Sequence, residues 1–444
     1  MRGSGSNSDS VKAVKKVRLP LAVAWAAVLC AVLLAQASVR AQRPNGIDLT
    51  SYLLSADALR HGGSPYVLPT PFPYLYPATL ALLLIPLTFV PATVAVLVWF
   101  ALSVAAAVWS IRAVVLNARP GLAARSADVA LFLAVFFTFF FTVAQSNLRN
   151  GQVNFIVLAL CVGAGLLFCT GAGAPPPPRA FADASPRIPM SSARHGRRRF
   201  SLFHPALPAF PAYPAFPAVS WSLAVALKLV PLVLLPFFAL RWNWRWLALS
   251  ALLIAAWCLL PAIFVGWRIV DIYEQYWRVI LATSLASRAQ PLDFSLAGTI
   301  AWITGAPLTP MLEASAAAVV LGWIIAVDGR RLRTSSVAQG DTRAFALYSL
   351  AIPLVSPQSE VHHLAFMLPA AAVVGAAVWC DWQHVDRALQ ISAPIAAALY
   401  LAATATPIAA GPLFCASLIA FGVALMNVSP RAVVVSGFSR TESP

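Results

Sequence analysis

Long apolar runs separated by short polar gaps organise the chain. They fall at residues 19–39, 77–116, 129–144, 153–168, 219–240, 247–265, 308–327, 344–355, 361–379, 389–405 and 413–426. A helix needs roughly 20 apolar residues to cross a bilayer, so most of these runs read as spans and several are short for the task. The run at 77–116 is twice that length, and Pro86 and Pro91 divide it into two helices turning near residues 89–93. The pattern therefore predicts an all-α polytopic membrane protein with about 10 to 12 transmembrane helices.

The polar gap between the first two runs, residues 45–77, is the richest in candidate chemistry. From Asp48 to His61 it is compatible with a helix that Gly62 and Gly63 stop, and Asp48, Tyr52 and Ser55 share one stripe. Asp57 lies about half a turn out of phase with Asp48, so the two carboxylates do not form a paired acid and base. Asp48 is the candidate base because the positive end of the helix favours its ionised form. The alternative is a carboxylate that serves only as a helix-terminal charge.

Composition supports the membrane assignment. Hydrophobic residues make up 60% of the 444-residue chain and charged ones 10%, where a soluble domain has roughly a quarter charged. The net charge of +16 is carried by residues at the ends of apolar runs and in one Pro-rich insert. This matches the positive-inside bias and attraction to anionic headgroups, and excludes a nucleic-acid stripe. The six cysteines lie in apolar runs without CxxC spacing, which indicates neither a disulfide framework nor a metal site.

The expected order is a basic unstructured tail at 1–18, a membrane module at 19–173 with a first loop at 40–76, a Pro/Arg-rich insertion at 174–218, a second module at 219–428 and a tail at 429–444. Residues 19–39 read as an uncleaved anchor, with a cleaved signal peptide as the rival. Counting crossings from an inside start puts the Asp48 gap, residues 267–298 and the corner at 356–363 outside. The same count puts 147–154, 241–245 and 328–333 inside. It places the insertion outside although six arginines there favour the cytoplasm, and long insertions obey the charge rule weakly.

Four further features carry candidate chemistry. Lys228 stands near the middle of an apolar run, where an ionisable group is functional by default, although its long stem also lets it snorkel to an interface. Ser356, Ser359, Glu360, His362 and His363 form a polar corner, in which helical geometry lets one of the adjacent histidines address a given site. Asn147, Asn150, Gln152 and Asn154 form an amide-rich hairpin, and helix capping explains half of them. The stretch 267–294 carries Arg268, Asp271, Glu274, Arg278, Arg288 and Asp293 among Tyr273, Tyr276 and Trp277, and reads as an interfacial loop.

The order Asp48 and Tyr52, Gly62, Pro65-Tyr66, Phe72, Tyr74, Tyr76-Pro77, Gly151-Gln152-Val153-Asn154, Lys228, Pro231, then Ser356-Pro357, Ser359 and His362-His363 resembles glycosyltransferase family 87. Glu360 and the long insertion depart from that pattern. The resemblance implies a C-type membrane bundle with an extracytoplasmic first loop, and hexose, above all mannose, moved from a polyprenyl-phosphate donor to a lipid or glycan acceptor. It implies inverting direct displacement, with Asp48 as base and His362, His363, Lys228, Arg268 and Arg288 toward the leaving phosphate. Tyr52, Tyr74, Tyr76, Glu360, Gln152 and Asn154 are then the substrate-binding candidates. It also implies an enzyme of the inner (plasma) membrane, partnered by membrane lipid, with no cofactor and divalent-metal dependence left open. A multi-pass transporter or lipid flippase is the alternative class, though the chain lacks an evident internal repeat. A scaffold whose insertion binds partners is a third.

Overall fold

The structure, a computed structural model, describes residues 6–43, 46–68, 72–123, 125–168, 215–241, 244–286, 293–334, 340–357, 359–406 and 409–428. Every regular element among them is helical. Among the described residues, six helices are long and apolar enough to cross a membrane, or seven if a bent pair counts as one span. The protein is an all-α, multi-pass membrane protein. Residues 174–214 of the insertion and the tail at 429–444 lie outside the described residues.

The amino-terminal module runs α1 (Ser6–Ala41), α2 (Asp48–Arg60), α3 (Ala78–Leu84), α4 (Ala92–Ala118), α5 (Ser126–Phe139), α6 (Phe141–Asn150) and α7 (Asn154–Leu167). After the insertion come α8 (Ala215–Leu227), α9 (Leu235–Ala239), α10 (Trp244–Leu259), α11 (Ala262–Val265), α12 (Ile269–Ala286) and α13 (Leu296–Thr304). The chain ends with α14 (Pro310–Thr334), α15 (Gly340–Val355), α16 (Leu368–Asp381), α17 (Arg387–Ala405) and α18 (Ala410–Met426). α1 starts at Ser6, so much of the segment expected as an unstructured tail continues the first helix.

Which helices face lipid follows from their burial. α1 and α14 expose most of their apolar side chains, as a lipid-facing helix does, whereas α7 packs between α4 and α8 with Phe155, Val157, Leu158, Cys161 and Val162 fully buried. At 14 residues α7 is about 21 Å long, short of the ~30 Å hydrocarbon layer, and it is sheltered by protein rather than lipid.

Three expected spans are instead interrupted. The run at 129–144 is the bent pair α5 and α6, which meet at 77°. The run at 219–240 breaks at Lys228: α8 ends at Leu227, a 3₁₀ turn follows at Val230–Leu234, and Trp221 Nε1 donates to the Pro231 carbonyl at 3.0 Å. The run at 78–89 turns back within one end of the bundle, because Thr79 Oγ1 donates to the Trp257 carbonyl at 3.0 Å and Arg60 lies over the Phe89 ring at 4.6 Å. Proline at 86, 231 and 236 removes backbone donors at these breaks, and only protein-lined or watered positions tolerate the loss. Residues 267–286, read from sequence as a loop, are instead largely α12, an amphipathic helix.

These breaks revise the face count. With 78–89 not crossing, α4 leads to Arg119, which lies in electrostatic reach of Arg343 together with Arg331. Arg241 pairs with Asp328 at 3.0 Å in the same region. The flanks of the insertion point there too, since Phe168 packs on Phe237 and Phe238, and Gly165 abuts Phe345. The insertion therefore departs from the end of the bundle opposite Asp48. The count that put it on the Asp48 face is corrected.

Candidate active site

The first turn of α2 sets the site. Leu49, Tyr52, Ser55, Ala56 and Leu59 are buried, which locks the helix, while Asp48 at its start stays partly open. Gly151 brings the hairpin against this turn. It has φ +67°, and a β-carbon there would lie 2.8 Å from Leu49 Cβ, so only glycine permits the approach. Trp99 Nε1 pins the same residue by donating to its carbonyl at 2.9 Å.

Gln152, next in the hairpin, orients the carboxylate. Its Oε1 accepts from Tyr76 Oη at 3.0 Å and Tyr52 Oη at 3.4 Å, which leaves its amide hydrogens for the Asp48 side chain. Burial raises Asp48 to about 6; the Gln152 bond works against this, Glu360 adds to it and Lys228 opposes it. Here burial outweighs the helix-terminal effect expected from sequence. A carboxylate of that pKa is largely ionised at neutral pH and is a better base than an ordinary aspartate.

Lys228 faces Asp48 from the break between α8 and Val230–Leu234. Its Nζ donates to Asn154 Oδ1 at 2.8 Å, lies 2.9 Å from His363 Nε2 and sits 5.4 Å from the centre of the Tyr76 ring. The expectation of a lysine inside a continuous span is corrected: the helix is broken at that residue and the ammonium reaches a polar cluster. Asn147 and Asn154 both donate to the His362 carbonyl at 3.1 Å, and Asn154 also donates to Asn147 Oδ1. The hairpin thus belongs to the Asp48 site, and the count that placed it on the other face is corrected.

The histidine corner is held from two sides. The 3₁₀ segment Val361–Met367 begins after Glu360, whose N–H donates to His363 Nδ1 at 3.3 Å. The two imidazoles lie 4.3 Å apart, and His362 Nδ1 is 3.6 Å from Glu360 Oε2. Both rings thus border the cluster, where helical spacing had allowed one. Asp293 Oδ1 accepts from the backbone N–H of Ser295 at 2.9 Å and of Ser359 at 3.1 Å, anchoring the corner to the loop before α13. Sequence reasoning placed Asp293 in a surface stretch; its position just ahead of an N-capping Ser295 was the available signal.

The remaining candidates separate. Tyr74 is buried and donates to the Pro77 carbonyl at 3.1 Å, and with Tyr52, Tyr66 and Tyr76 it builds an aromatic wall. Arg268 donates to the Gly62 carbonyl at 3.0 Å on an exposed surface, apart from the Lys228 cluster. Arg288 lies outside the described residues. Among the described residues no group of three metal-ligating side chains occurs.

Asp48, Gln152, Lys228, His362, His363 and Glu360 therefore gather in one cluster, with a carboxylate held by Gln152 on one side and an ammonium with imidazoles on the other. Such an arrangement can take a proton from a hydroxyl while stabilising negative charge that develops opposite.

Residues 74–181 match the model of glycosyltransferase family 87. The chain is also 34% identical over 161 residues to a curated protein of Mycobacterium tuberculosis (strain ATCC 25618 / H37Rv), the polyprenol-phosphate-mannose-dependent alpha-(1-2)-phosphatidylinositol mannoside mannosyltransferase. That match covers 36% of this chain and 36% of the relative. No solved structure matches the chain. Tyr74, Tyr76, Gln152 and Asn154 fall within the family match, whereas Asp48, Lys228 and the histidines lie outside it. The resemblance to glycosyltransferase family 87 carried by the order of motifs is thus borne out, with residues 74–181 as the matching stretch.

Proposed function

We propose that the chain is a membrane hexosyltransferase that moves mannose from a polyprenyl-phosphate donor to a lipid or glycan acceptor on the extracytoplasmic face of the plasma membrane. Asp48 takes the proton of the acceptor hydroxyl as that oxygen bonds to the anomeric carbon. The bond from this carbon to the phosphate oxygen breaks on the opposite side, and the electron pair leaves with polyprenyl phosphate. The charge gained by the phosphate falls toward Lys228, His363 and His362. Opposed attack and departure invert the anomeric centre. Gln152 keeps the carboxylate aimed, while Asn154 and His363 fix the ammonium.

The observation that carries this reading is the meeting of Asp48 with Lys228 and the histidine corner, contributed by segments that lie far apart in the chain. The named activity of the mycobacterial relative, which uses polyprenol-phosphate mannose, supports the donor class. The insertion, leaving from the opposite end of the bundle with its arginines, supports an orientation in which Asp48 faces outward.

The test is transfer by the purified chain in lipid nanodiscs supplied with labelled polyprenyl-phosphate mannose and a membrane lipid extract. A labelled lipid or glycan is expected. Solute uptake by proteoliposomes with no labelled product would contradict the reading and favour transport.

A further inference from the structure

Backbone groups fix the direction of two hydrogen bonds at Lys228. The carbonyls of Val143 and His362 can only accept, so the amides of Asn147 and Asn154 turn their nitrogens toward them, at 2.9 to 3.1 Å. Asn154 Nδ2 also donates to Asn147 Oδ1 at 3.1 Å, which leaves Asn154 Oδ1 facing Lys228 Nζ at 2.8 Å. The lysine therefore gives one N–H to Asn154.

The bond to His363 runs the opposite way. The backbone N–H of Glu360 can only donate, and it points at His363 Nδ1 at 3.3 Å, so that nitrogen carries a lone pair. The same contact excludes an imidazolium, which is protonated on both nitrogens. A neutral ring with a bare Nδ1 has its proton on Nε2, the atom 2.9 Å from Lys228 Nζ. Nζ must then accept. An ammonium has three N–H donors and no lone pair, whereas an uncharged amine has two N–H groups and one lone pair. The amine meets both neighbours, with an N–H to Asn154 and its lone pair to His363.

The surroundings suit that form. Lys228 lies in the break after α8, outside the spanning helices, faced by Asp48 from α2, Glu360, His362 and His363 from the corner and Tyr76 from the aromatic wall. Burial lowers the lysine to about 7, with Asp48 and Glu360 pulling it upward. Burial also keeps His362 uncharged and the Tyr76 phenol protonated. An arriving phosphate adds negative charge and brings oxygens that can accept from Nζ and from Nε2–H alike.

We propose that Lys228 is an uncharged amine in the empty site, held so by the Nε2–H of His363, and that it takes up one proton from solvent when the phosphate of a polyprenyl-phosphate sugar binds. Both nitrogens then donate to that phosphate, and the proton returns to solvent when polyprenyl phosphate departs. The ammonium that counters the leaving group is thus the donor-bound form, and His363 is a positioning residue that sets the charge of its neighbour. The phosphate as ligand rests on the transferase reading above; the amine of the empty site does not.

The chain has four lysines, and the other three are Lys12, Lys15 and Lys16. With Lys12→Arg, Lys15→Arg and Lys16→Arg, lysine labelled with carbon-13 at Cε gives a single signal from the full chain in nanodiscs, and its position distinguishes amine from ammonium. In the empty protein the midpoint should fall near 7, where an exposed lysine titrates at ~10.4. Above that midpoint, polyprenyl-phosphate mannose, whose phosphodiester does not titrate there, should move the signal to the ammonium position. Its affinity should fall about tenfold per pH unit until the bound lysine itself loses the proton. His363→Gln, whose amide oxygen can accept from Nζ, should raise the empty-site midpoint by about one pH unit, the worth of one hydrogen bond. An ammonium signal persisting to about pH 9 in the empty chain would overturn the amine, and an unchanged midpoint in His363→Gln would overturn the role of the imidazole. A lysine that stays neutral with donor bound, or a donor affinity independent of pH, would overturn the proton uptake. The empty-site titration contains no donor, so a low midpoint in a chain that transfers no sugar upholds the amine and removes only the phosphate as its ligand.

Discussion

Asp48 is subject to two opposed effects. The helix start favours the charged carboxylate, while burial beside Glu360 favours the protonated acid, and burial prevails with a pKa near 6. The base works only when deprotonated, so kcat/KM for sugar transfer should fall as pH drops through about 6. Glu360→Gln removes a like charge and should move that limb to lower pH, which a pH profile of both proteins reads directly. Lys228→Gln should lower kcat more than it raises donor KM, because the ammonium counters charge that appears only as the phosphate leaves. Asp48 and the histidines stood out in the sequence because they lie in polar gaps between apolar runs, and Lys228 because it stands inside one. The role of Gln152 as the group that aims Asp48 was not, since an amide in a hairpin looks the same whether it caps a helix or orients a carboxylate.

At the scale of elements the site depends on interruptions. α2 was readable to within a residue or so, from a stretch free of Gly and Pro that the Gly62-Gly63 pair stops. The breaks at Phe140 and Lys228 were not: both flanks of each are apolar, and hydropathy does not distinguish a crossing helix from one that bends inside protein. Two positions test the supports. Gly151→Ala, which puts a side chain at φ +67° and against Leu49, should lose about 1–3 kcal/mol and displace α2, read as a lower thermal midpoint and impaired transfer. Asp293→Ala removes the acceptor for the Ser295 and Ser359 N–H groups. It should cost on the order of 2–3 kcal/mol and loosen the histidine corner, detectable as faster hydrogen exchange at residues 359–363.

For the whole molecule, the apolar runs foretold a multi-pass helical bundle, and simple alternation failed to give its sidedness. One short run counted as a span moved every later loop to the wrong face until another interrupted run, around Lys228, restored the register. That is why residues 241–245 and 328–333 were paired correctly on one side while the hairpin and the insertion were misplaced. The six arginines of residues 174–218 suit the proposed orientation, in which the end of the bundle opposite Asp48 faces inward. Cysteine labelling of residues 147–154 in intact cells should find them on the same side as residue 48 and opposite residue 241.

The central claim is that Asp48 is the base of a sugar transfer completed across one space by Lys228 and the histidine corner. It is tested most directly by comparing wild type with Asp48→Asn in nanodiscs, each given labelled polyprenyl-phosphate mannose and membrane lipid. Labelled product is expected from wild type, at a rate about 10²- to 10⁴-fold higher than from the folded variant. Transfer by Asp48→Asn at the wild-type rate would contradict it.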